Sequence, residues 1–209
     1  MARIEKIGVL GGTFDPPHRG HLLIAREALT QLGLSQVLFA PTRQPPHKDL
    51  AGITPIAARL EMVRRAIAAH PQFQLSRVDV DQPGATYTAD TMRRLRAQFG
   101  ADVELFFIMG MDSLQSILTW RTPAELIAVC KLVVFARPGF VADLDALEAQ
   151  LPGVRARVVF LPAPPVDIAA SDLQRRVRAG ESIAEFVPAT VAEYIAAQGL
   201  YRSAEGRHI

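Results

Sequence analysis

Apolar residues fall into two rhythms along this chain, short unbroken runs and stripes recurring every three or four positions, and the two take turns from the start. The run ending in Ile7, Gly8, Val9 and Leu10 predicts a buried strand over residues 4–10, closed by glycines. Leu22, Ala25, Leu29 and Leu32 then share one face of a helix over 18–32, with Gly33 as its stop. Residues 36–40 predict a second strand. Pro41, Pro45, Pro46, Gly52 and the basic Arg43 and Lys48 make 41–54 a long surface loop, a length often used for lids. Ile56, Leu60, Val63 and Ile67 define the next amphipathic helix, with Thr54 as N-cap and Pro55 as its first residue.

The alternation continues with a strand over 74–80, a helix over 88–99 and a strongly apolar strand over 103–109 that ends at Gly110-Met111-Asp112. Two short helical segments, split near 119–123, lead to a strand over 132–136 closed by Arg137-Pro138-Gly139. A helix over 142–151 and a strand over 157–161 follow. Strands and helices in strict turn predict an α/β fold, a Rossmann-like, doubly wound and mainly parallel sheet occupying 1–165. Beyond the proline-rich 162–165, helices over 171–179 and 188–198 predict a small helical C-terminal lobe, 166–209. In such sheets ligands bind at the carboxyl ends of the strands, and the polar motifs of this chain fall there.

Composition changes this picture little. At 209 residues, 49% hydrophobic and 21% charged, the chain is long enough for one well-buried core and too apolar for disorder. The single cysteine, Cys130, lies in an apolar stretch and reads as a small buried hydrophobe. The apolar run Ile7 to Leu10 is broken by glycines before it reaches signal-peptide length, and no stretch reaches about 18 apolar residues, so neither a signal peptide nor a membrane span is expected, and a cytoplasmic location follows. The formal net charge is +2. Arg59, Arg64, Arg65, Arg93, Arg94, Arg96, Arg175, Arg176 and Arg178 lie in helical patterns, where solvated faces are the default, and no nucleic-acid-binding motif accompanies them. A homo-oligomer is left open.

The chemistry concentrates in Gly11-Gly12-Thr13-Phe14-Asp15-Pro16-Pro17-His18-Arg19-Gly20-His21. Neither the Gly-x-Gly-x-x-Gly fingerprint nor a Walker Gly-Lys-Ser/Thr is present. Instead Gly11 and Gly12 let backbone approach an anion, and a helix opens with two imidazoles three residues apart, on one side. A helix N-terminus attracts phosphate, and histidines there add donors. A metal pair is the weaker alternative, because no third ligand follows by spacing.

This segment is similar to the signature of the adenylyltransferases of the HxGH nucleotidyltransferase superfamily, in the form carried by bacterial nicotinate mononucleotide adenylyltransferases. Pro45-Pro46-His47-Lys48, Tyr87-Thr88 with Asp90-Thr91, Gly110 to Asp112 followed by Trp120, and Arg137-Pro138-Gly139 extend the resemblance over nearly the whole chain. It implies transfer of adenylate from ATP, with Mg²⁺, onto nicotinate mononucleotide, without a covalent intermediate. On this resemblance His18, His21 and Lys48 are the catalytic residues. Gly11, Gly12, Thr13, Phe14, Gly110, Asp112, Arg137, Ser171 and Arg175 join the histidines around ATP, and no protein-built metal site is implied. Asp15, His47, Lys48, Thr86, Tyr87, Asp112 and Trp120 meet the acceptor, Trp120 by stacking and Asp112 at ribose hydroxyls or the metal. Read without the resemblance, Trp120 serves equally as packing and Asp112 as a helix cap.

One stretch departs from the family pattern. Where relatives carry Ile-Ser-Ser-Thr and then a phosphate-clamping arginine, this chain reads Ile168-Ala169-Ala170-Ser171-Asp172-Leu173-Gln174-Arg175. Ser171 is expected to cap the helix, and Arg175 or Arg137 to replace the arginine lost at Gln174. Two alternatives stay open: the same chemistry on nicotinamide mononucleotide or phosphopantetheine, and a nonenzymatic nucleotide sensor.

Overall fold

A computed structural model describes residues 4–44, 52–136, 142–162 and 168–202. Six strands, β1 (Glu5–Gly12), β2 (Gln36–Pro41), β3 (Phe73–Leu75), β4 (Val103–Gly110), β5 (Lys131–Ala136) and β6 (Val158–Pro162), form one sheet in the order β3-β2-β1-β4-β5-β6. Every pairing is parallel. The chain starts in the middle, builds outward to β3, then returns to lay β4 on the other side of β1. The β1/β4 boundary is therefore the switch point, where connections depart in opposite directions and leave a crevice at the carboxyl ends.

Helices cover both faces, which is why the strands read as almost unbroken apolar runs. In β4, Phe106 and Ile108 face one apolar cluster while Leu105, Phe107 and Met109 face the other. The first face is covered by α1 (Arg19–Leu32), α2 (Ile56–Ile67), α7 (Ala170–Arg178) and α8 (Ala189–Ala197). The second is covered by α3 (Thr88–Phe99), α4 (Met111–Gln115), α5 (Pro123–Val129) and α6 (Leu144–Gln150). Leu173, Ile183, Val187, Val191 and Ile195 from the C-terminal segment belong to the same buried cluster as Phe14, Leu22 and Met62. No helix among the described residues is long and apolar enough to cross a membrane.

Several boundaries differ from the sequence expectation for identifiable reasons. β1 runs two residues further, because Gly11 and Gly12 keep pairing with Ala40 and Pro41. β3 stops at Leu75 instead of continuing to Val80: Ser76 donates to the Phe39 carbonyl, and a turn then brings the Val80 and Asp81 N–H groups to the Arg77 carbonyl. In α2 the N-cap is Pro55, not Thr54, whose N–H is taken by the Asp15 carboxylate at 3.0 Å. α6 starts at Leu144 because the Asp143 carboxylate accepts from the N–H groups of Asp145 and Ala146. Gly33 does end α1, at φ 60°, a left-handed position suited to glycine. Cys130 is buried, and burial pushes its thiol up to about 12, leaving it inert.

Candidate active site

The crevice is built first by the absence of side chains. A Cβ on Gly11 would come within 3.2 Å of the Phe107 ring, and one on Gly12 within 3.3 Å of the Phe14 ring, so the carboxyl end of β1 stays open backbone. The chain then turns through Phe14 at φ 51°. That turn is fastened by Arg59, which the sequence grouped with solvated arginines and which is 1% exposed. Its guanidinium donates to the carbonyls of Thr13 and Thr42 at 2.8 Å, Thr54 at 2.9 Å and Arg43 at 3.2 Å. Burial lowers its pKa, offset in part by Asp15 and Tyr201, but an arginine stays charged.

His18 is the N-cap of α1 and His21 lies in its first turn. The rings stack, centroids 3.7 Å apart, and Phe14 meets His21 edge-on at 5.0 Å. The His18 backbone N–H donates to His21 Nδ1 at 3.2 Å, so neutral His21 carries its proton on Nε2 and offers it as a donor. Burial brings His18 down to about 4, and burial together with its neighbour His18 holds His21 well below the usual histidine range. The free site thus holds two neutral imidazoles. His18 Nδ1 is buried and has no hydrogen-bond partner among the described residues.

A cleft of about 220 Å³ opens at the carboxyl ends of β1 and β4, lined by Gly11, Gly12, Thr13, Thr42, Asp79, Thr86, Thr88, Thr91, Phe107, Ile108, Met109, Ser113 and Trp120; the two histidines are not on its wall. Trp120 stands edge-on to Phe107, centroids 6.1 Å apart. Thr86 is anchored by its N–H to the Gln44 carbonyl at 3.1 Å, and Tyr87 carries the Arg121 guanidinium 4.7 Å above its ring. Asp79 is buried and receives the Thr91 hydroxyl at 2.8 Å and Arg94 at 3.3 Å. Burial dominates and raises its carboxyl to about 6. Asp112 is exposed at the start of α4, its carboxylate folded back so that a Cβ on Gly110 would lie 2.6 Å from Oδ1.

Other expected site residues lie differently. Asp15 is 5% exposed; it accepts from Tyr201 at 2.5 Å and the Thr54 N–H at 3.0 Å, while its carbonyl accepts from Gln174 at 2.7 Å. Ser171 does not cap α7, which begins one residue earlier with Ala169 as N-cap and no side-chain bond. Arg175 is exposed and pairs with Asp172 at 3.3 Å. His47, Lys48 and Arg137 lie outside the described residues. Arg59, Asp79 and Tyr201 were missed, and only Arg59 carried a signal: it falls one position before Leu60, on the edge of the apolar stripe of α2.

The cytidylyltransferase-like family matches residues 9–176. The "Probable nicotinate-nucleotide adenylyltransferase" of Thermomicrobium roseum is 46% identical over 202 residues, covering 97% of this chain and 94% of that relative. A namesake from Dehalococcoides mccartyi is 41% identical over 197 residues, covering 94% and 97%. Among solved structures, the Plasmodium falciparum nicotinic acid mononucleotide adenylyltransferase complexed with NaAD superposes with a TM-score of 0.77 at 18% identity, covering 94% of this chain and 97% of the other, a likeness of fold. With relatives this similar over nearly its whole length, the chain belongs to the nicotinate-nucleotide adenylyltransferases of the cytidylyltransferase-like family.

Proposed function

We propose that this protein transfers adenylate from ATP to nicotinate mononucleotide, giving nicotinate adenine dinucleotide and pyrophosphate in NAD biosynthesis. The observation that carries this reading is the stacked His18/His21 pair at the amino end of α1, linked through the Phe14 ring and Gly12 to the cleft that Thr86 and Trp120 line. An oxygen of the acceptor's 5′-phosphate bonds to the α-phosphorus of ATP as the bond to the bridging oxygen breaks, and pyrophosphate leaves with that electron pair. The attacking phosphate is already ionised, so positioning and charge stabilisation suffice and no general base is needed.

His18 and His21 hold the triphosphate, with His21 Nε2–H and the Gly20 N–H as donors; the Arg19 N–H is held by the Phe186 carbonyl at 2.8 Å and the His21 N–H by the His18 carbonyl at 3.0 Å. The half-buried glycine backbone of Gly11 and Gly12, with Thr13, Phe14 and Gly110, gives ATP close approach. Tyr87 offers its backbone N–H and Thr86 its hydroxyl to the nicotinate carboxylate, the Thr86 N–H being held by the Gln44 carbonyl, and Trp120 offers a face for the ring. Lys48 and His47, which lie outside the described residues, would supply further positive charge to the phosphates. Mg²⁺ takes one or two carboxylates together with substrate phosphates, and the exposed, folded-back Asp112 fits that requirement. When bound, Mg²⁺ supplies charge neutralisation to the phosphates. Of the two replacements for the family arginine, Arg175 is favoured, being exposed and paired among the described residues with Asp172 alone; with Ser171 it would let the C-terminal segment, 166–209, complete the ATP site. A cytoplasmic location goes with ATP as co-substrate.

Purified protein incubated with ATP, Mg²⁺ and each acceptor in turn tests the reading. Pyrophosphate and dinucleotide should form fastest with nicotinate mononucleotide. Preference for nicotinamide mononucleotide or phosphopantetheine would replace the acceptor, and nucleotide binding with no pyrophosphate from any acceptor would leave a sensor.

A further inference from the structure

Asp15 is where four remote parts of the chain meet. Its carbonyl accepts from Gln174 of α7 at 2.7 Å. Its carboxylate accepts from the Tyr201 hydroxyl, beyond α8, at 2.5 Å, and from the Thr54 N–H before α2 at 3.0 Å. Asp15 also offsets part of the cost of burying the Arg59 guanidinium. Three non-glycine residues among the described ones have positive φ, and two of them, Phe14 at 51° and Tyr201 at 63°, belong to this junction. Bulky L residues persist in that conformation only where their surroundings over-determine it. Phe14 is held from both sides: Arg59 fixes the Thr13 carbonyl before it, and Gln174 the Asp15 carbonyl after it.

We infer that Tyr201 and Gln174 are positioning residues for adenylate transfer, latching Asp15 from the C-terminal segment so that Phe14 sets His21 and the glycine backbone in reacting geometry. The inference rests on the proposed function for its kinetic consequence only. The route is a chain of contacts. Asp15 adjoins Phe14; the Phe14 ring lies over Gly12, where a Cβ would meet it at 3.3 Å, and edge-on to His21 at 5.0 Å, which in turn stacks on His18 at 3.7 Å. Movement of the Asp15 backbone is thereby passed to both imidazoles. Gln174, in the place of the family's arginine, has a defined task in this chain, because a glutamine reaches the Asp15 carbonyl as a neutral donor. The Tyr201 phenol stays protonated, since burial, and then the Asp15 carboxylate, push its pKa up, so it remains a donor to that carboxylate.

Tyr201→Phe deletes only the hydroxyl. The expected outcome is a kcat lowered about tenfold with KM for both substrates within about threefold of wild type, since orientation is lost while binding groups remain. Amide exchange should quicken over residues 13–18 and stay unchanged in β4 and α3. The thermal midpoint should fall by less than about 10 °C, leaving the enzyme folded at assay temperature. Gln174→Met should reproduce the split. Tyr194→Phe, a hydroxyl removed from α8 where the ring packs under Arg65, is the control and should change neither readout. Wild-type kcat and exchange in both Tyr201→Phe and Gln174→Met, or an equal kcat loss in Tyr194→Phe, would overturn the latch. Should wild-type protein form no dinucleotide, the functional reading fails while the exchange measurement still decides the latch.

Discussion

Two buried residues with displaced proton affinities give the site opposing responses to pH. The folded state holds His18 near 4 against an ordinary 6.5, so an acidified unfolded chain binds a proton that the native one refuses. Stability present above pH 6.5 is therefore lost as pH falls towards 4, by about 3 kcal/mol, and His21 adds in the same direction. Asp79 runs the other way. Its folded value, raised from 3.8 to about 6, means stability present below pH 3.8 is lost as pH rises through 6, again by about 3 kcal/mol. Between about pH 4 and 6 the two offset each other. Asp79→Asn, which keeps an acceptor for the Thr91 hydroxyl, should raise the urea midpoint at neutral pH and uncover a steeper acid loss; an unchanged pH profile would refute the assignment. None of this was legible in the sequence. His18 and His21 were, by their spacing, but that they are neutral depends on their burial, which spacing does not encode.

At the level of elements, the sequence located helices well and their functional faces less well. α1 and α3 matched closely because an apolar stripe and a terminal glycine are local signals. The expected strand over 74–80 did not hold: Arg77 and Asp81 pair at 2.7 Å across a turn, and Asp79 swings inward to Thr91, neither of which periodicity encodes. α2 is the clearest case. Its buried face is Arg59, Met62, Val63, Ala66 and Ile67, and the arginine belongs there because four carbonyls from two connections, the one after β1 and the one between β2 and α2, converge on it. A helical pattern shows only the helix's own residues, so it cannot reveal acceptors brought by other segments. Arg59→Met should cost about 3–5 kcal/mol in chemical denaturation, since it strands those carbonyls and leaves the buried Asp15 charge without its cation. A loss within about 1 kcal/mol would mean that water takes over the guanidinium's bonds.

For the molecule as a whole, alternation of strand and helix was enough to give a parallel α/β sheet, while the order of the strands came only with the long-range pairings of β1 to β4 and β2. The chain's halves meet at that switch point, and each brings part of the site: the histidine loop from one side, Trp120 from the other. Trp120 is also the chain's only tryptophan. All indole emission of this protein therefore originates on one wall of the cleft proposed for the acceptor, edge-on to Phe107. The protein carries its own optical gauge. Stacking of an electron-poor pyridinium ring should quench that emission as nicotinate mononucleotide is titrated, while ATP alone, bound along the histidine side, should leave it nearly constant; equal quenching by both would put the acceptor elsewhere. Without any label, the fluorescence would then distinguish which substrate has arrived and in what order.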